Sequence, residues 1–463
     1  MHHKMTYVRT PILAAWAAAF AFATASHAAD APADAAFWTK PKWLSDLSLS
    51  VKESYDDNVL GVSGLGLARQ NSWVNSAQVN LGFNLLPLFD GTKDIQVLTF
   101  SYNPERVTFD SVSSEDYTAN RFNGAFKFKA DNVTVSVTDA FLYNDGNKLA
   151  ETYALNQLAG AAANQNDKYR NNYAHAPVRE RLAQTQDRYT TFVQVDEGNF
   201  FIRPISQLTD YKLDTYIFNT SLAPYKGYQD YVSRYDINAG VDLGFNLAPN
   251  LAFTLGYRDG FQHQDQFSLA INSDQHFASN HYQRALLGLE GKVAKWLTVK
   301  LAAGPDFRQF NPDAPVANLN TTRFFGEGTL VATLPDNQSL NFGFKQWVFV
   351  SSTGLVPYTD TAFTAAYHIN VTPQFGLDLA YKYAEANYTI SNDTAGSAPG
   401  LRDDLDGGGS AGFSYGLTKQ LVISASYNYE DGLNGLKTLP AKYFPNYRDF
   451  KHRVVSFGIQ YKF

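Results

Sequence analysis

The chain has no cysteine among its 463 residues. That excludes disulfides, thiolate metal sites, a cysteine nucleophile and the CxxCH haem attachment. Charge is scarce as well: Asp, Glu, Lys and Arg make up 18% of the residues and leave a net charge of -6. There is no basic arm or Lys/Arg cluster to engage a nucleic acid. Past Ala28 the chain has no run of about 20 apolar residues, the length a membrane-spanning helix needs. It also lacks HExxH and Walker A motifs. What it has in abundance is aromatic side chains, 34 Phe and 28 Tyr.

The N-terminus carries an export pattern. His2, His3, Lys4 and Arg9 surround or precede the apolar run PILAAWAAAFAFATA, and Ser26-His27-Ala28 places small residues where a signal peptidase reads. The pattern predicts a signal peptide over 1–28, with a membrane anchor as the alternative. Residues 29–44, rich in Ala, Asp and Pro at their start, read as a periplasmic lead-in to a domain over 45–463.

That domain alternates persistently. In YVSRYDINAGVDLGFNL (Tyr231–Leu247) one face carries Tyr231, Tyr235, Ile237, Val241, Leu243, Phe245 and Leu247. The other carries Arg234, Asp236, Asn238, Asp242 and Asn246. Successive strand residues point to opposite faces, so period two sorts these side chains. The same alternation flanks short turns at Ala130-Asp131-Asn132, Ala248-Pro249-Asn250, Ala294-Lys295-Trp296, Pro335-Asp336-Asn337, Thr372-Pro373-Gln374 and Thr418-Lys419-Gln420. The intervening junctions are long and polar, as at Gly61–Asn71, Gln266–Asn280 and Ser391–Asp406.

Short turns at one end and long loops at the other predict a single all-β, antiparallel, up-and-down transmembrane β-barrel. Its short turns would be periplasmic and its long loops extracellular, with about eighteen strands and sixteen as the alternative count. A soluble sandwich would have shorter strands and Greek-key connections. Lipid offers no water to an open sheet edge, so such a sheet must close. The last strand, RVVSFGIQYKF, should therefore pair with the first, Arg453–Phe463 against Leu47–Tyr55.

Polar residues of the alternating strands should face the lumen, because Arg or Lys toward mid-membrane lipid costs about 2–4 kcal/mol. The candidate pore-lining residues are Lys127, Arg234, Asp236, Asp242, Arg258, Arg284, Glu290, Lys292, Lys300, Arg323, Glu327, Lys345, Asp378 and Lys382. Two readings stand for them: a water-filled channel with a mild preference for anions or neutral sugars, or cross-strand pairs that brace the wall. The longest segment without strand character is 144–187. Its Lys168, Arg170, Arg179 and Arg181 are candidates for a constriction loop if it folds inward, and for a solvated loop if it does not.

Other constellations are weaker. His263, His276 and His281 lie near Asp265, Asp274 and Ser279 around one long loop, without a group shown to orient a base. The acids of Tyr55-Asp56-Asp57-Asn58 and Asp403-Asp404-Leu405-Asp406 do not have EF-hand spacing. No enzyme activity, cofactor or metal is expected.

Two stretches carry a resemblance. A final strand ending on Phe463, with Tyr461, Ile459 and Phe457 at alternate positions, resembles the C-terminal signal of bacterial outer-membrane barrels. LSLSVKESYDDNVLG near the predicted mature start is similar to the opening strand of the "β-barrel porin 2" group. The resemblance implies an integral bacterial outer-membrane protein among lipid and lipopolysaccharide, with Phe463 and Tyr461 read by the barrel assembly machinery. It also implies a pore passing small hydrophilic solutes, as a homo-oligomer or alone. The alternatives are a conduit for polysaccharide export and an outer-membrane barrel enzyme.

Overall fold

The computed structural model describes residues 40–61, 69–89, 93–150, 181–214, 216–217, 233–265, 279–311, 320–335, 337–350, 357–387, 402–436 and 450–463. The chain divides into Met1–Pro41 and Lys42–Phe463. Of the first unit only Lys40 and Pro41 are described, so the expected signal peptide lies outside the described residues, as do Lys168, Arg170 and Arg179.

The second unit is built of strands. In chain order they are β1 (Leu44–Asp56), β2 (Ser72–Asn84), β3 (Ile95–Phe109), β4 (Tyr117–Ala130), β5 (Val133–Asn144), the short β6 (Leu149–Ala150), β7 (Gln184–Glu197), β8 (Phe200–Leu213) and the short β9 (Tyr216–Ile217). There follow β10 (Arg234–Ala248), β11 (Leu251–Gln264), β12 (Asn280–Ala294), β13 (Leu297–Phe310), β14 (Thr321–Leu334), β15 (Gln338–Phe349), β16 (Tyr358–Asn370), β17 (Phe375–Asn387), β18 (Arg402–Gly416), β19 (Leu421–Leu436) and β20 (Phe450–Lys462). β6 and β9 pair only with each other, in parallel. The rest form one 18-stranded sheet in which every neighbour is antiparallel.

The sheet closes on itself. β20 pairs with β1 from Ser48↔Lys462 to Asp56↔Val454, and the Phe463 amide donates to Leu47 O at 3.0 Å. The expected pairing of first and last strands is therefore present, and eighteen is the strand count.

The connections explain why the chain turns where it does. Asp131 (φ 49°), Gly198 (φ 60°) and Asn337 (φ 56°) adopt the left-handed conformation in tight turns at one end, which Asn, Asp and Gly tolerate best. The opposite end carries the longer connections, such as 57–71, 265–279 and 437–449. Barrel strands run from 12 residues in β5 to 16 in β19, against the roughly 9–11 that span a bilayer when tilted.

Burial is inverted relative to a soluble protein. Leu287 is 57% exposed and Phe457 56%, whereas Tyr282 is 0% exposed and Arg308 2%. Apolar side chains on alternate positions form the outer surface; polar ones fill the inner face. Among the described residues no helix is long and apolar enough to cross a membrane, which is silent on a barrel. A closed, even-stranded antiparallel sheet with an apolar outer face is an integral outer-membrane β-barrel.

The Tyr55–Asn58 stretch has a structural task at the closure. Beyond the β1–β20 ladder, Asp57 N donates to Arg453 O (3.1 Å) and Arg453 N to Asp57 Oδ1 (2.7 Å). Asn58 Nδ2 donates to Lys451 O (2.8 Å), and Asp56 Oδ1 lies 2.9 Å from His452 Nε2. These residues extend the seam past the last ladder pair.

Candidate functional site

Two networks occupy the inner wall of β8–β14. Nearer the short turns, Arg203 on β8 donates from Nη1 and Nη2 to Glu290 on β12 (2.6 and 2.9 Å) and from Nε and Nη2 to Asp242 on β10 (3.1 and 2.9 Å). Arg258 on β11 reaches the other Asp242 oxygen at 2.7 Å. Phe201 and Phe192 lie under the Arg203 guanidinium, so two cations and two carboxylates balance there.

Nearer the long loops, Tyr282 on β12 donates its hydroxyl to Asp236 on β10 at 2.7 Å, and Gln262 on β11 donates to the other Asp236 oxygen at 2.7 Å. Arg308 on β13 reaches Gln262 Oε1 (2.7 Å), Asn280 Oδ1 (2.8 Å) and Asp306 Oδ2 (2.8 Å). Arg284 on β12 donates to the same Asp306 oxygen at 3.0 Å, and its guanidinium lies 3.9 Å from the Tyr282 ring centroid and 4.2 Å from that of Phe325.

The end of β15 lies against this wall. The β14–β15 ladder ends at Gly326↔Gln346, while β15 and β16 remain paired to Phe349↔Tyr358. Trp347–Phe349 thus leave the neighbour that would hold them in the barrel wall. Val348 O accepts from Gln262 Nε2 (3.1 Å) and Val350 O from Arg234 Nη1 on β10 (2.7 Å). The Arg234 guanidinium sits 4.3 Å from the Phe349 ring centroid and 5.4 Å from that of Tyr211 on β8. β12, β13 and β14 separate β15 from β11 in the sheet, so these contacts cross the lumen. The end of β15 is buried: Val348 and Val350 are 0% exposed and Phe349 5%.

The remaining wall is more open. On the inner face Lys52, Asn123, Arg188, Asp378 and Lys382 are exposed. Lys382 on β17 bonds Glu430 (2.6 Å) and Asp406 (3.3 Å), and His452 bridges Glu430 (3.2 Å) and Asp56 (2.9 Å). Asp378 pairs with His368 at 2.8 Å.

The sequence candidates therefore part company. Arg234, Asp236, Asp242, Arg258, Arg284 and Glu290 join the paired wall. Lys127, Lys292, Lys300, Arg323 and Glu327 form no ion pair among the described residues, and Lys345 lies over the Trp347 ring at 3.7 Å. Arg181, from the expected constriction loop, is buried against Glu115. The inward element that the structure describes is the β15 tip, which the sequence reading did not single out. Arg203, Asp306, Arg308, Tyr282 and Gln262 were missed too. Period two was their signal: exposed Phe307 lies between Asp306 and Arg308.

The histidine group is a fastening. His263 Nε2 lies 3.1 Å from Asp265 and Nδ1 3.5 Å from Ser279 Oγ. Ser279 is 5% exposed, and its hydroxyl oxygen accepts from the Gln264 amide at 3.1 Å, an arrangement that ties β11 to β12. His276 and Asp274 lie outside the described residues. Among the described residues no group of three or more His, Asp or Glu is placed to hold a metal.

No family model and no curated protein matches the chain. Solved structures do match. OpdK, an outer membrane protein of Pseudomonas aeruginosa, is 11% identical with a TM-score of 0.42, covering 90% of this chain and 99% of that one. OccAB4 of Acinetobacter baumannii is 10% identical with a TM-score of 0.39, covering 90% and 98%. A mutant of the ferric enterobactin receptor PfeA from Pseudomonas aeruginosa is 8% identical with a TM-score of 0.40, covering 90% and 80%. The barrel is established by its own ladder and burial pattern.

Proposed function

We propose that the protein is a porin-like channel of a bacterial outer membrane, passing small hydrophilic solutes by diffusion, with no catalytic activity. The observation that carries this reading is a closed barrel whose inner face keeps exposed charged side chains beside the paired wall. Lys52, Arg188 and Lys382 are the clearest. Solutes would pass along the β17–β20 and β1–β7 side, because the end of β15 packs across the lumen against β10 and β11. Lys127, Lys382 and Asp378 are the sequence candidates best placed to meet them; Arg234, Asp236, Asp242 and Arg284 would brace the wall.

Phe463 and Tyr461 stay in this account as the signal for the barrel assembly machinery, and lipid with lipopolysaccharide as the surroundings of the outer face. Homo-oligomerisation is compatible with the reading. Liposome swelling with a sugar size series tests the channel: swelling should fall with solute size, and liposomes impermeable even to the smallest sugar would refute it.

A further inference from the structure

We propose that His452 is a selectivity residue of the channel: an imidazolium held between two carboxylates on the open sector of the wall, whose proton sets the balance of cation and anion passage. The inference rests on the channel function above. On the inner face of β20, His452 Nε2 lies 2.9 Å from Asp56 Oδ1 on β1, and its Nδ1 lies 3.2 Å from Glu430 Oε2 on β19. An ionised carboxylate only accepts hydrogen bonds. A neutral imidazole has one N–H and turns a lone pair toward its second partner, so only the imidazolium donates to both. The three side chains are largely buried: His452 is 16% exposed, Asp56 13% and Glu430 10%. Water therefore replaces little of what the proton supplies.

The surrounding charges alternate in sign across neighbouring strands. From β17, Lys382 reaches Glu430 Oε1 at 2.6 Å and Asp406 Oδ2 on β18 at 3.3 Å. Three carboxylates thus face Lys382 and His452, for a net charge of -1 with the imidazolium and -2 without it. Lys52 lies further along the same face of β1, beyond Ser54. Asp57 accepts from the Arg453 amide and serves the seam. Loss of the proton sets Asp56 and Glu430 against each other across the ring. Lys382 is 46% exposed, so the cluster opens to the lumen and its charge is felt by passing ions. One other histidine among the described residues faces the lumen, His368 on β16. It meets a single carboxylate, Asp378, at 2.8 Å, which a neutral imidazole also satisfies.

The test is the reversal potential across a planar bilayer in a potassium chloride gradient, at about pH 6 and about pH 9, a range in which Asp, Glu, Lys and Arg stay charged. In the wild type the chloride-to-potassium permeability ratio should fall about twofold as the pH rises, the effect of one elementary charge across a water-filled lumen. His368→Gln should keep this fall. His452→Gln should show the alkaline ratio at both pH values, and His452→Arg the acid one. A wild-type ratio that ignores pH would overturn the proposal, as would a full fall in His452→Gln. Should His452→Gln fail to fold, His452→Arg decides alone, since a full fall there contradicts the assignment equally. A barrel that carries no current refutes the channel itself; a conducting barrel with a pH-independent ratio refutes the role of His452 alone.

Discussion

At the scale of single residues, the inner wall is sensitive because its charges are buried in pairs. Arg203 holds two carboxylates at once, and Asp242 is buried. Arg203→Ala leaves both short of a partner and should destabilise the folded barrel by about 3–5 kcal/mol, read as a lower urea midpoint in detergent micelles. Arg203→Lys should recover only part, since an ammonium cannot fork between two carboxylates. A wild-type midpoint for Arg203→Ala would show that the pairs do not brace the wall. Asn58→Ala should cost about 1–3 kcal/mol, because the Lys451 carbonyl loses a buried donor at the seam. Gly260 has a different role: a Cβ there would meet the Tyr282 ring at 2.3 Å. Gly260→Val should therefore push Tyr282 off Asp236 and shift its near-ultraviolet circular dichroism.

At the scale of elements, the strands sort by face. Phe457 on β20 is 56% exposed on the outer surface; Phe457→Lys should cost about 2–4 kcal/mol if it lies near the membrane midplane. The check is the fraction of protein that migrates as a folded, heat-modifiable band after refolding into vesicles, expected to fall. Undiminished folding would place β20 off the lipid face. This facing, the turn positions and the pairing of the last strand with the first were legible in the sequence, because period two is local and a barrel in lipid must close. What was not legible has physical reasons. Pro204 and Pro305 interrupt the alternation beside Arg203 and Asp306, and a proline counts against a central strand; here both sit in strands paired on each side. Tyr282 and Gln262 carry no charge to mark them. The QWVFV stretch ending in Val350 reads as ordinary strand, and its inward departure depends on Arg234 and Gln262, more than 80 residues away.

At the scale of the whole molecule, the account joins a closed barrel, a braced arginine-rich sector that the end of β15 packs against, and a more open sector opposite. Each part follows from side-chain chemistry: apolar residues turn to lipid and charges turn inward. The most direct test is the current through single barrels of the purified, folded protein in a planar lipid bilayer. The account predicts discrete conductance steps, larger in Arg234→Gln, which loses the bond that holds Val350 across the lumen. Folded barrels that insert and carry no current in either form would contradict it.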